Sequence, residues 1–171
     1  MDAMEASEAV PAAAPEFESF FGAERPRLLR AVYLLAGNAE EAEEIVQDAF
    51  LAVWERWERV QGMEEPVGYL YRAAMNRHRS RVRRAVRAAR RVVGVAEGGD
   101  LFAAADERDA LARAISQLTR RRREAVVLVE LLGYDSPSAG RVMGVTDVTV
   151  RRLASEARQH LRRELEAKDD G

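Results

Sequence analysis

The sequence predicts an all-α protein made of two small helical domains joined by a flexible linker. Three observations predict it. Thirty Ala and 26 Arg with only 5 Pro among 171 residues favour helix throughout. Apolar residues recur at three- and four-residue spacing, and no alternating run marks a strand. Between two such periodic blocks lies VVGVAEGGDLFAAAD at 92–106, which has three glycines and no long periodicity and so reads as a linker.

Residues 1–15 are small and acidic with two prolines and no aromatic, too little apolar surface to offset ordering entropy, so a disordered leader is expected. From Phe17 to about Leu35 the spacing predicts a first helix, broken or kinked at Pro26. Asn38 and Glu41 form a capping pair for the next helix, with Glu40, Glu41, Glu43 and Glu44 where the helix dipole favours negative charge. Behind them Ala42, Ile45, Val46, Ala49, Phe50, Val53, Trp54 and Trp57 predict one continuous buried stripe. The opposite face carries Glu44, Gln47, Asp48, Leu51 and Glu55, and an apolar Leu51 within an acidic surface is what a partner would cover. VQGMEEP at 60–66 is a turn, with Pro66 suited to the first position of a helix. That helix buries Val67, Leu70, Tyr71 and Ala74 and then becomes basic through Arg91, closing a first domain over 16–91. A second domain over 107–165 begins with Leu111, Ile115 and Leu118 inward. It continues with a helix capped by Thr119 and ended by Gly133, then two further helices, and residues 166–171 fray.

The formal charge of -2 conceals a polarity. Residues 1–65 hold 15 acids and 5 bases, whereas 66–92 hold 9 bases and no acid. Two opposite-sign surfaces are therefore expected. With no Cys there is no disulfide, thiolate site or cysteine nucleophile, which fits a reducing compartment. No apolar run approaches the roughly 18 residues of a membrane span and no secretion signal opens the chain, so a cytoplasmic protein without membrane insertion is expected. His78 and His160 lie among arginines, as solvated or phosphate-facing positions, and HExxH, glycine-rich phosphate loop and nucleophile elbow are all missing. No enzymatic activity, metal or cofactor is expected.

The most informative local pattern is SPSAGRVMGVTDVTVRRLAS at 136–155, which predicts a helix-turn-helix. Gly140 supplies the small residue where two helices approach, and Gly144 can take positive φ in the turn. Ala139, Met143, Val145, Val150 and Leu153 face inward, leaving Thr146, Asp147, Thr149, Arg151, Arg152, Ser155 and Arg158 outward, where arginine can bond guanine edges and hydroxyls can bond bases or phosphates. Arg120, Arg121, Arg122 and Arg123 crowd the first turn of a helix against its dipole, an arrangement that a DNA phosphate would make favourable. The basic helix over 72–91 suits a phosphate backbone, with Tyr69 placed to stack on a base, Asn76 able to bond one, and Tyr71 in the core.

The runs AEEAEEIVQDAFLAVWERW, EPVGYLYRAAMNRHRSRVRR and ISQLTRRRREAVVLVELLGY, followed by the helix-turn-helix, together resemble the extracytoplasmic-function sigma factors of bacterial RNA polymerase, in the sigma-70 family. The resemblance spans about Phe17 to Leu165. It implies a region 2-like domain that binds core polymerase and the minus-ten element, and a region 4-like domain that reads the minus-thirty-five element. It gives Glu44, Gln47, Asp48, Leu51 and Glu55 the polymerase-binding role. Gln61, Met63 and Glu64 fall in the loop that captures a flipped minus-ten base, beside Tyr69, Arg72, Asn76, Arg77 and Arg79 of the strand-binding helix. The minus-thirty-five contacts are assigned to Arg120 to Arg123, Thr146, Thr149, Arg151, Arg152, Ser155 and Arg158. The implied partners are the β′ clamp helices and β flap of core polymerase, promoter DNA and a dedicated antisigma factor. DSPSAG at 135–140 departs from the family's more acidic, Ile-containing first helix, Val129 stands where an Arg is common, and Glu156 where many members are basic, so the minus-thirty-five preference stays open. Two alternatives also stay open: a stand-alone helix-turn-helix regulator, and a polymerase-binding or antisigma-sequestered adaptor without promoter function.

Overall fold

The computed structural model describes residues 14–91 and 110–169. The expected linker at 92–106, and the expected leader as far as residue 13, lie outside the described residues. The first group of helices is α1 (Ala14–Ala36), α2 (Ala39–Trp54), α3 (Trp57–Val60) and α4 (Pro66–Arg91). The second is α5 (Ala110–Ser116), α6 (Arg120–Val126) continued by a π-helical segment (Val127–Leu131), α7 (Ser136–Met143) and α8 (Asp147–Asp169). The described residues contain no strand, as expected.

α1 passes through Pro26 as one helix, against the expected break. Proline cannot donate to the carbonyl four residues back, which belongs to Gly22, and both residues are exposed, so water can satisfy that carbonyl. Burial of Leu28, Ala31 and Val32 beyond the proline, and ring contacts of Phe17, Phe20 and Phe21 before it, anchor both halves of the helix on the core. The helix also begins inside the stretch expected to be a leader, at Ala14.

α2 starts as its sequence predicts, with Asn38 Oδ1 accepting from the Glu41 backbone N–H at 2.9 Å. It stops three residues short of Trp57, and a turn at Glu55 and Arg56 leads into α3. This interrupts the stripe expected to be continuous. Trp57 still reaches the core, but Trp54 is left at the surface, resting on Phe17 with ring centroids 4.8 Å apart. Tyr71 is buried and its hydroxyl donates to Glu24 Oε2 at 2.6 Å, joining α4 to α1.

In the second group, Gly144 caps α7 in the left-handed conformation at φ 67°, and Asp135 Oδ1 accepts from the Ser138 N–H at 2.7 Å. A Cβ on Gly140 would stand 2.8 Å from the Val145 carbonyl oxygen. This is the close approach that the helix-turn-helix needs, and the obstacle is backbone, which cannot rotate away. Gly140→Ala should therefore destabilise the chain by about 1–3 kcal/mol, despite alanine's better helix propensity. A urea midpoint equal to wild type would show that the turn yields freely. α8 runs from Asp147 to Asp169.

The two groups share apolar contacts, because α1 lies against α5, α6 and the π segment. Arg27 donates through Nε and Nη2 to the Leu131 carbonyl at 3.0 and 2.8 Å, occupying an acceptor at the end of the π segment.

Candidate nucleic-acid interface

α4 presents two faces with different surroundings. One forms a groove of about 490 Å³ whose lining includes Asp48, Arg56, Tyr69, Arg72, Asn76 and Arg77. Arg56 donates to the Tyr69 hydroxyl at 3.2 Å, which orients that ring beside the exposed Arg72 and Asn76. Of the polymerase-binding candidates, Asp48 lines the same groove and Glu44 pairs with an arginine that does. Asp48 pairs with Arg77 at 3.3 Å and Glu44 with Arg81 at 2.6 Å, while Leu51 is 55% exposed. The acidic and basic surfaces expected to be separate thus adjoin, because α2 and α4 pack side by side. Gln47, Glu55, Gln61 and Glu64 are exposed, and Met63 is half-buried against the core.

The second face of α4 turns toward α6 and α7. Arg79, expected at the strand-binding groove, instead pairs with Glu124 at 2.6 Å, with the two side chains only 21% and 10% exposed. It lines a second cleft of about 460 Å³ with Tyr134, Ser138 and Arg141, and Arg72 and Asn76 border both clefts. His78, expected to be solvated or to face phosphate, is buried there. Desolvation pushes its pKa down to about 4, and the nearby Arg120, Arg123 and Arg79 guanidiniums reinforce the shift. The reason is register: position 78 lies on the inward side of α4, and a neutral imidazole is the form that fits among cations.

Arg120 and Arg121 are exposed at the start of α6, as a DNA-facing role requires. Arg123 is not. It is buried, and its guanidinium donates to the carbonyls of Ile115, Ser116 and Leu118 at 3.2, 2.8 and 3.1 Å, closing the end of α5. Four consecutive arginines cannot all point outward from a helix, and the fourth satisfies carbonyls that α5 leaves unpaired. Thr119 takes the cap position of α6 without a side-chain cap bond.

The second helix of the helix-turn-helix, α8, is locally organised. Thr146 Oγ1 accepts from the Thr149 N–H at 3.2 Å, and the two hydroxyls lie 2.9 Å apart. Asp147 holds Arg151 at 2.8 Å. Glu156 accepts from Arg152 at 2.6 Å and from Arg122 at 2.9 Å, and these two guanidiniums keep its carboxyl below the usual range. Glu156 thereby joins α6 to the outward face of α8. Ser155 is half-buried, and Arg158 is engaged with Glu130 at 2.5 Å. Val148, which was absent from the expected contacts, is the most exposed large apolar side chain among the described residues, at 62%. Its position opposite Val150, Leu153 and Ala157 on the helix was the signal that could have found it.

Among the described residues no three His, Cys, Asp or Glu side chains come together as a metal site. No described helix is long and apolar enough to cross a membrane.

An acidic and basic helical unit followed by a helix-turn-helix defines a two-part protein with a DNA-reading second part. The Sigma-70 region 2 family model matches residues 20–88 and the Sigma-70, region 4 model matches residues 108–161. The chain belongs to the extracytoplasmic-function sigma factors of the sigma-70 family. It is 28% identical over 150 residues to the ECF RNA polymerase sigma factor SigM of Mycobacterium tuberculosis, covering 87% of this chain and 76% of that protein. It is 30% identical over 163 residues to SigE of Mycolicibacterium smegmatis, covering 88% of this chain and 62% of that one. In fold it is similar to the sigma factor RpoE from Bartonella quintana, solved with the anti-sigma factor NepR, at TM-score 0.69 and 20% identity over 88% of this chain and 97% of that one. It is also similar to CnrH, solved with the cytosolic domain of CnrY, at TM-score 0.58 and 24% identity over 90% of each chain. The chain is a sigma subunit that directs promoter-specific transcription with core RNA polymerase, and the stand-alone regulator is not favoured.

Proposed function

We propose that the surface shared by α2 and α4 joins polymerase docking to strand capture. The observation that carries this reading is the pairing of Glu44 with Arg81 and Asp48 with Arg77 across one groove. Leu51, with Gln47 and Glu55, supplies the contact to the β′ clamp helices. Tyr69, Arg72, Asn76 and Arg77 hold the opened minus-ten strand next to the Gln61 to Glu64 turn. Arg120, Arg121, Arg122, Arg151 and Arg152 engage the minus-thirty-five duplex, with the β flap as a further contact of the second domain. The protein itself performs no chemistry and works in the cytoplasm. A dedicated antisigma factor belongs to the same reading. It is supported by the apolar cleft between the two helical groups, about 340 Å³, where Leu34, Ile115, Val127 and Leu131 are rimmed by Arg30 and Arg162.

Reconstitution with purified core polymerase tests the assignment. Leu51→Ala removes an exposed side chain, so the thermal transition should not move, while affinity for core should fall roughly tenfold if the partner buries that leucine. Unchanged affinity would remove Leu51 from the docking surface, and failure of the wild-type chain to bind core or start promoter-dependent transcripts would overturn the whole assignment.

A further inference from the structure

The outward face of α8 is centred on a residue that forms none of the polar contacts just described. Val150, Leu153, Ala154 and Ala157 pack inward, so the opposite side carries Val148, Arg152, Ser155 and Gln159. Val148 is 62% exposed in the first turn of the helix. A β-branched apolar residue there gains nothing from capping and loses side-chain freedom. Its polar neighbours are restrained: Asp147 holds Arg151, Glu156 holds Arg152, and Thr146 is bonded to the start of the helix. Arg151 and Arg152 flank the valine as exposed guanidiniums, each held by a carboxylate for which a phosphate can substitute, so the valine is the apolar tip of an arginine-lined ridge. Such a ridge is complementary to a polyanion that carries an apolar feature at its centre.

Duplex DNA offers one such feature in the major groove, the C5-methyl of thymine, which phosphates, sugars and the minor groove do not present. We propose that Val148 is a specificity-determining residue of the upstream promoter element, packing its methyls on the C5-methyl of one thymine while Arg151 and Arg152 engage the flanking bases or phosphates. This inference rests on the assignment of α8 as the minus-thirty-five reading helix.

Holoenzyme reconstituted with the wild-type chain, with Val148→Ala or with Val148→Ser first selects an upstream element from a promoter library randomised in that region. Each thymine of the wild-type element is then replaced by deoxyuridine, which deletes the methyl and keeps every hydrogen-bonding group. The wild-type holoenzyme should lose about fourfold in promoter affinity at one thymine, the equivalent of one buried methyl group. Both variants should be indifferent to that replacement and should select with relaxed preference at that position. Because Val148 is exposed, the thermal transitions of the three proteins should coincide. Identical deoxyuridine profiles for wild type and variants would overturn the Val148 assignment alone. Failure of the wild-type holoenzyme to enrich any upstream element would overturn it together with the assignment of α8.

Discussion

Arg79→Ala is expected to destabilise the chain by about 3–5 kcal/mol, because it strands the Glu124 carboxylate in a nearly closed environment. The pair joins α4 to α6 across the two helical groups, with Nε and Nη2 of Arg79 both on Glu124 Oε1. The reverse change, Glu124→Ala, should cost less, since the longer arginine can turn its charge toward solvent. Replacing both at once, as Arg79→Met with Glu124→Leu, should recover most of the loss, because the penalty lies in the unpaired charge rather than in the missing attraction. Urea denaturation of the two single variants and the double variant measures this directly. Equal and small effects from both single changes would mean that water reaches the pair, and the contact would then contribute little to holding the groups together.

Acid should weaken the fold through His78. Its pKa in the folded chain is near 4, against 6.5 for the ordinary side chain. Between those values the unfolded chain binds a proton that the folded chain refuses, so stability rises with pH across that window and is level above it. Lowering the pH from 7 toward 4 should therefore remove up to about 3 kcal/mol, and below the lower value this group adds no further loss. His78→Asn should flatten the profile between pH 6.5 and 4 whatever its effect on stability at neutral pH. Parallel profiles for variant and wild type, from urea midpoints across that range, would assign the acid sensitivity to other groups. Two of the arginines around His78 cannot move away from a protonated imidazole, because Arg79 is tied to Glu124 and Arg123 to carbonyls.

Much of the molecule could be read from the chain because its determinants are local. The cap at Asn38, the left-handed Gly144 and the close approach at Gly140 each depend on residues within a few positions of one another. The acidic face with its exposed Leu51 and the burial of Tyr71 follow from helical spacing alone. The errors share one origin. Periodicity tells which side of a helix is apolar, but it does not tell which helix stands opposite a polar side chain. Arg79, Arg123 and His78 read from the sequence as solvent- or DNA-facing, and the partners of Glu156 on α6 could not be read at all. Each meets a group on another helix or at the end of one. Trp54, the last residue of α2, lies at the margin of the helix's apolar stripe and stays at the surface, while Trp57, beyond the turn, returns to the core.

The sequence by itself determined the all-helical class, the two-part order, the helix-turn-helix and the family, because spacing, capping and glycine placement act over one or two turns of chain. The tertiary structure alone decided which of the many arginines remain available to DNA. Every arginine carries the same charge and the same five donors, and only the packing of helices decides which are closed in on a carboxylate or a carbonyl, as Arg79 and Arg123 are, and which keep an exposed guanidinium, as Arg151 and Arg152 do.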